Sequence, residues 1–247
     1  MIRVENLYKK YKNSVDFSIE NLSLTIDDKE IFGILGPNGA GKTTLISILC
    51  GLLKPTTGKF FIDDLDFSKY PKDIKQMIGV VPQEYALYPT LTAKENLMYF
   101  GSMYGLKSQE LKKKVEENLT ILGLENFINK RVETFSGGMK RRVNLIAGIM
   151  HQPKVLFLDE PTVGVDVQSK KTIIEFLKKL NQQGTTIVYT SHHLLEAQDF
   201  CTKIAIIDQG KIIKEGEPKQ LISKFSNAKD LEDVFIELTG KALRDVV

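Results

Sequence analysis

Apolar positions recur at two different spacings along this 247-residue chain, and the change of spacing organises it. Short β-like patterns over 3–11 and 17–26 are followed by a buried-looking strand over 30–35. A turn and another short strand follow in PTTGKFFIDDLDF (55–67), and IGVVPQE (78–84) reads as a strand that stops at Pro82. KVLFLDE (154–160) and TTIVYTS (185–191) are continuous apolar runs, as expected for parallel strands buried on both faces. Between these two groups the spacing becomes helical. Leu97, Phe100 and Met103 mark one helix, and Leu111, Val115, Leu119 and Leu122 a second. Met139, Val143, Ile146, Ala147 and Met150 mark a third. Thr92 and Glu95 form a capping box before the first; Ser108 is expected to cap the second, with Gly123 beyond its end. Helices over 42–50, 167–180 and 193–201 alternate with the strands, and IAIIDQGKIIKEGEP (204–218) reads as a hairpin around Gly210. The layout is a parallel α/β core over 1–218, interrupted by a helical insertion at about 91–150, with a helical tail over 219–247. In that tail Leu231, Val234, Phe235 and Leu238 share one face, which is expected to pack on its own domain.

Composition narrows the function. Hydrophobic residues make up 42% and charged residues 26%, so the chain is globular, with material for a sizeable core. A net charge of only +3 gives no case for nucleic-acid binding. Lys112-Lys113-Lys114 reads as a solvated helix face; Lys140-Arg141-Arg142 is either another such face or pairs with acids. Cys50 and Cys201 are expected to be reduced core thiols. Met1-Ile2-Arg3-Val4 runs straight into a strand pattern, with no secretory leader expected, and no apolar run approaches the length of a bilayer span. A role at a membrane would require another chain to supply the span.

The chemistry begins with LGPNGAGKTT (35–44), which fits G-x-x-x-x-G-K-[ST] at Gly36, Gly41, Lys42 and Thr43. Such a loop cradles phosphate. Backbone N–H groups from Asn38 to Thr44 turn inward, and the following helix offers its positive dipole end. Lys42 brings a charge to the β/γ-phosphates and Thr43 a hydroxyl to Mg²⁺. The strand VLFLDEP ends in Asp159-Glu160, where ligands sit in parallel sheets. Asp159 suits Mg²⁺, alongside Thr43, and Glu160 suits an attacking water. FSGGMKRR (135–142) places Ser136, Gly137 and Gly138 before a second helix N-terminus able to face an anion.

With these motifs in order, the sequence resembles the nucleotide-binding subunit of ATP-binding-cassette (ABC) transporters. The resemblance implies a P-loop NTPase (RecA-like) core with a small antiparallel β subdomain and an inserted helical subdomain. It implies ATP and Mg²⁺ as ligands, and two ATPs sandwiched in a head-to-tail dimer. Ser136, Gly137 and Gly138 would then act in trans on ATP held by the other subunit's loop (Asn38, Gly39, Ala40, Gly41, Lys42, Thr43 and Thr44). Tyr11 matches the aromatic that stacks on adenine, and Gln83 the glutamine that contacts Mg²⁺ and the attacking water. Asp166 matches the loop that communicates across the dimer. His192 matches the histidine that reaches the γ-phosphate; His193 is then an exposed helix residue and His151 a surface loop residue. Glu160 is the implied catalytic carboxylate. Phe135, Met139 and Val165 depart from the family's commonest residues, and position 139 is read without a polar role.

SGGMKRR and the tail look like ATPases of ABC-2-type exporters. The implied partners are a second copy or a related ATPase subunit and a separate transmembrane permease at the cytoplasmic face, with no nucleic acid. Tyr88 is the expected aromatic anchor for the permease. The rival within the family is a non-transport ATPase of ribosomes or DNA repair, which usually carries two cassettes or a long coiled coil. A P-loop kinase or GTPase leaves FSGGMKRR and His192 unexplained; a module that binds ATP without turnover is separated by an ATPase assay, with Glu160 arguing against it.

Overall fold

A computed structural model describes residues 1–12 and 14–240. In chain order the elements are β1 (Ile2–Lys10), β2 (Phe17–Ile26), β3 (Ile31–Leu35), α1 (Lys42–Leu49), β4 (Thr57–Ile62), β5 (Leu65–Asp66), α2 (Pro71–Met77), β6 (Ile78–Val81), α3 (Ala93–Met103), α4 (Ser108–Ile121), α5 (Gly137–Ile149), β7 (Val155–Asp159), α6 (Val167–Gln182), β8 (Thr186–Ser191), α7 (Leu194–Phe200), β9 (Lys203–Asp208), β10 (Lys211–Gly216), α8 (Pro218–Ser223) and α9 (Leu231–Thr239). They divide into two compact units, residues 1–75 with 186 onward, and residues 76–185.

The first unit holds an antiparallel sheet in the order β2-β1-β4-β5. Its alternation is that of a sheet with one covered face: Leu22, Leu24 and Ile26 are buried, while Asn21, Ser23 and Thr25 are exposed. The same unit holds β3 between β8 and β9, parallel to both, with β10 antiparallel on β9. Every residue of β3 and of β8 is buried, which is why both read as unbroken apolar runs. Removing a leucine or isoleucine side chain from water stabilises the fold by about 1.5–3 kcal/mol, so these strands carry much of the core energy. In α9, Leu231, Val234 and Phe235 are buried, and the Leu231 N–H donates to Gln198 Oε1 of α7 at 3.0 Å. The tail helix therefore packs on its own unit, as its spacing predicts. Residues 241–247 of the expected tail lie outside the described residues.

The second unit sets β6 parallel to β7, with Ile78 opposite Val155 and Val81 opposite Leu158. It also contains α3, α4, α5 and α6. The capping box forms. The Glu95 N–H donates to Thr92 Oγ1 at 3.1 Å, and Glu95 Oε2 accepts from the Thr92 N–H at 2.8 Å. The Thr92 N–H and hydroxyl, both donating to the Glu95 carboxyl, hold it below its ordinary pKa.

Several expectations need correction. Ser108 does not cap α4: Lys107 takes the cap position without a side-chain bond, and Ser108 is already the first helical residue. His151 is not a surface loop side chain. Its ring lies flat on Tyr104, centroids 3.6 Å apart, and its Nε2 is 2.9 Å from the Ile78 carbonyl oxygen. Burial pushes its pKa below the ordinary imidazole value. His193 is exposed, as expected, but directly precedes α7 as its cap rather than lying within it. Two short helices, α2 and α8, escaped the periodicity reading because six or seven residues do not establish a helical repeat. Cys50 and Cys201 are buried thiols, and burial pushes the Cys201 pKa strongly up.

Candidate nucleotide site

The phosphate loop, Tyr11 and His192 belong to the first unit. The buried strand β3 delivers the chain to Gly36, and α1 restarts it at Lys42. Gly41 caps α1 with φ 105°, and a Cβ there would stand 2.4 Å from the Ser18 carbonyl oxygen. Only glycine meets both conditions. No side chain caps α1 and no acid occupies its first turn, so the positive dipole end of the helix suits an anion. Lys42 is 5% exposed, and its ammonium donates to the carbonyl oxygens of Gly36 at 2.8 Å and Pro37 at 3.2 Å. The loop thus folds the lysine charge inward onto its own carbonyl groups. Thr43 is exposed on the first turn of α1. Tyr11 presents a 44% exposed side chain, its Oη 3.3 Å from Thr44 Oγ1, which sets the ring beside the same turn.

His192 reaches this end of the unit through register. β3 and β8 are parallel with Leu35 opposite Ser191, so Gly36 and His192 each leave their strand one residue later. His192 packs against His193, ring centroids 4.1 Å apart.

Gln83, Asp159, Glu160, the stretch 135–142 and Asp166 belong to the second unit. β7 ends at Asp159, which is buried. Glu160 follows, 7% exposed and held at φ 48°. A left-handed backbone at a glutamate costs about 1–2 kcal/mol, and a turn at the end of a buried strand imposes it. Because Val81 pairs with Leu158, the chain leaving β6 runs past the same strand end. There Gln83 Nε2 donates to Glu160 Oε2 at 3.3 Å, joining two of the residues singled out from sequence.

Ser136 is the N-cap of α5, with Oγ accepting from the Met139 N–H at 3.3 Å. Asp166 caps α6, accepting from the Ser169 N–H at 2.9 Å. That bond, with the Ser169 hydroxyl, lowers the Asp166 carboxyl below its ordinary pKa. Gly138 joins the two caps: a Cβ there would meet Ser169 Oγ at 2.4 Å and Asp166 Oδ2 at 2.9 Å. The glycine is what lets the start of α5 lie against the start of α6.

In the basic run 140–142, left open by the sequence, the two arginines find partners. Arg141 is 3% exposed; its Nη1 donates to the carbonyl oxygens of Pro82 at 3.1 Å and Gln83 at 2.8 Å. Arg142 is half-buried; its Nη1 donates to the Leu122 carbonyl oxygen at 2.7 Å and its Nε to that of Gly138 at 3.3 Å. Both guanidiniums bond backbone. The missed signal was spacing: Gly138, Arg141, Leu145 and Gly148 all lie on one buried stripe of α5.

The fold and the glycine loop define a P-loop nucleoside triphosphatase. Residues 19–163 match the ABC transporter family. The linearmycin resistance ATP-binding protein LnrL of Bacillus subtilis is 44% identical over 246 residues, which is 99% of this chain and 76% of the relative. A Nod factor export ATP-binding protein I of Burkholderia lata is 38% identical over 221 residues, covering 90% and 72%. Among solved structures, the dimeric post-hydrolysis ATP-binding cassette MJ0796 with ADP and Pi superposes with a TM-score of 0.81 at 30% identity, over 88% of this chain and 98% of that one. The chain belongs to the ABC transporter family, as an ATP-binding and ATP-hydrolysing subunit.

Proposed function

We propose that this chain is the ATPase subunit of an ABC-2-type exporter, working as a head-to-tail dimer on a separate transmembrane permease at the cytoplasmic face of the membrane. The dimer partner is a second copy or a related ATPase subunit. The observation that carries the reading is the Gln83–Glu160 contact at the end of β7, in a chain whose phosphate loop is fully built. The name of the Burkholderia lata relative, a Nod factor export protein, supports export. Among the described residues no helix is long and apolar enough to cross a membrane, so the span is assigned to the permease.

Each residue has a role in this reading. Backbone N–H groups of 38–44, with Lys42, bind the phosphates of ATP. In this reading Thr43, Gln83 and Asp159 would each offer Mg²⁺ a hard oxygen, the donor type that suits this ion, and the ion would neutralise phosphate charge. Glu160 takes a proton from the water that attacks the γ-phosphorus, while the bond to the bridging oxygen breaks. Gln83 orients that carboxylate, and His192 donates to the γ-phosphate. Ser136, Gly137 and Gly138 close on the ATP of the opposite chain, and Asp166 links the two chains. Tyr11 stacks on adenine. Tyr11→Ala is expected to weaken ATP binding by roughly 1–3 kcal/mol in an ATP titration, and Tyr11→Phe to be near neutral, since stacking needs the ring. Equal losses in both would remove the stacking role.

The docking face is built from aromatic side chains. Tyr88 is 46% exposed and packs edge-on against Tyr99, centroids 5.2 Å apart. Its N–H donates to the buried Asn96 Oδ1 at 2.8 Å, which fixes the loop. Met103, 65% exposed, and Phe100 line a mostly apolar cavity of about 330 Å³ in the same unit. This suits an amphipathic cytoplasmic helix of the permease. The test is detergent purification of the chain from its native membranes. An integral membrane protein should accompany it, and Tyr88→Ala should release that protein while leaving ATP affinity of the isolated subunit unchanged. Retention by the variant moves the docking face elsewhere, and purification with ribosomes instead of a membrane protein sinks the transporter reading.

A further inference from the structure

Residues 82–86 form neither helix nor strand, yet they carry Gln83. What fixes them is one helix. Arg141 of α5 donates to the carbonyl oxygens of Pro82 and Gln83, at 3.1 and 2.8 Å. Its guanidinium carbon lies 4.9 Å from the centre of the Tyr85 ring, and Tyr85 Oη donates to the Gly137 carbonyl oxygen at 3.2 Å. One turn further on, Asn144 accepts from the Ala86 N–H at 3.1 Å and donates to the Pro82 carbonyl oxygen at 3.3 Å.

We propose that Arg141 is a positioning residue that, with Tyr85 and Asn144, clamps the 82–86 segment to α5, so that Gln83 and the Ser136–Gly138 turn move as one body. The proposal rests on the ATPase reading for its kinetic consequence, but the clamp itself does not.

Folding alone does not favour an arginine here. Arg141 is 3% exposed, and among the described residues its Nε has no hydrogen-bond partner. Burial pushes its pKa down, with Tyr85, Asp159 and Glu160 pushing it back. An apolar side chain of similar volume would often serve packing as well or better. What it could not supply is the fork of donors to two successive carbonyl groups, which fixes where the Gln83 backbone sits. α5 begins at Gly137, directly after its cap Ser136. Any shift of α5 that follows engagement of that turn is thus transmitted to Gln83, whose amide bonds Glu160. Occupancy of one ATP site would in this way be felt at the catalytic carboxylate of the same chain.

The test uses the full chain. Arg141→Met removes the donors and keeps a linear apolar stem. Hydrogen exchange followed by mass spectrometry should show at least a several-fold faster exchange at 83–88, with β7 unchanged. In ATPase kinetics kcat should fall on the order of ten- to a hundredfold, as expected for a misplaced positioning group, with ATP Kd within about twofold of wild type. In a Gln83→Ala background the same substitution should cost nothing further, because Arg141 acts only through Gln83. If Arg141→Met does not fold, Tyr85→Phe removes one hydroxyl from a partly exposed side chain and is read in the same cycle, with a loss of a few-fold expected. Unchanged exchange at 83–88, or kinetic losses that multiply with those of Gln83→Ala, overturns the clamp. A wild-type chain that fails to hydrolyse ATP sinks the ATPase reading instead, while the exchange result still decides the clamp.

Discussion

Glu160→Gln is expected to bind Mg²⁺–ATP with near wild-type affinity and to lose about 10²–10⁴-fold in kcat, the usual range for removal of a general base. The structure gives the reason for expecting so clean a separation. The amide fills the same buried space after β7 and its oxygen can still accept from Gln83 Nε2, so the geometry survives. What disappears is the basicity, and with it the negative field that polarises the attacking water. Because the φ of 48° at this position is a backbone demand, glutamine meets it as glutamate does. An ATP-loaded dimer should therefore accumulate, visible by size-exclusion chromatography with ATP and absent with ADP. Steady-state hydrolysis at the wild-type rate would show that another group takes the proton.

Lys42→Ala is expected to be the largest single loss of nucleotide affinity. Removing one partner of a desolvated charge contact costs about 2–5 kcal/mol, roughly thirtyfold to a few thousandfold in Kd. A second effect comes with it in this chain. Lys42 donates to the carbonyl oxygens of Gly36 and Pro37, so the substitution also strips buried acceptors of their donor. Each such orphaned group costs about 1–3 kcal/mol, and the melting temperature of the apoprotein should fall as well. Isothermal titration and thermal melts of the same samples read the two effects separately. Wild-type affinity for Mg²⁺–ATP in Lys42→Ala would mean that the loop does not hold the triphosphate. Thr43→Val leaves those carbonyl bonds alone and should weaken binding mainly in the presence of Mg²⁺.

The strands were legible because both-face burial writes itself into the chain as unbroken apolar runs, and β3, β7 and β8 are buried at every residue. The capping box before α3 was legible because its chemistry is local, four residues wide. The Ser108 cap was not, because whether a serine lies just outside or just inside a helix depends on a single residue's backbone angles. His151 was misplaced because nothing near it in sequence announces Tyr104 or the Ile78 carbonyl oxygen, which come from other elements.

The same division runs through the site. The sequence alone determined the phosphate loop, the carboxylate pair at a strand end and the SGG helix start, since each is a short motif whose function depends on the backbone immediately around it. Tertiary structure decided what those motifs touch within their units. Parallel register placed Gln83 against Glu160 and carried His192 to the same strand ends as the loop. Packing at Gly138 set the two helix starts of α5 and α6 together. It also turned a basic run whose surroundings the sequence left open into two backbone clamps, the buried Arg141 and the half-buried Arg142. A guanidinium's environment is set by which carbonyl groups the fold brings within hydrogen-bond reach, and those lie some twenty to sixty residues away along the chain.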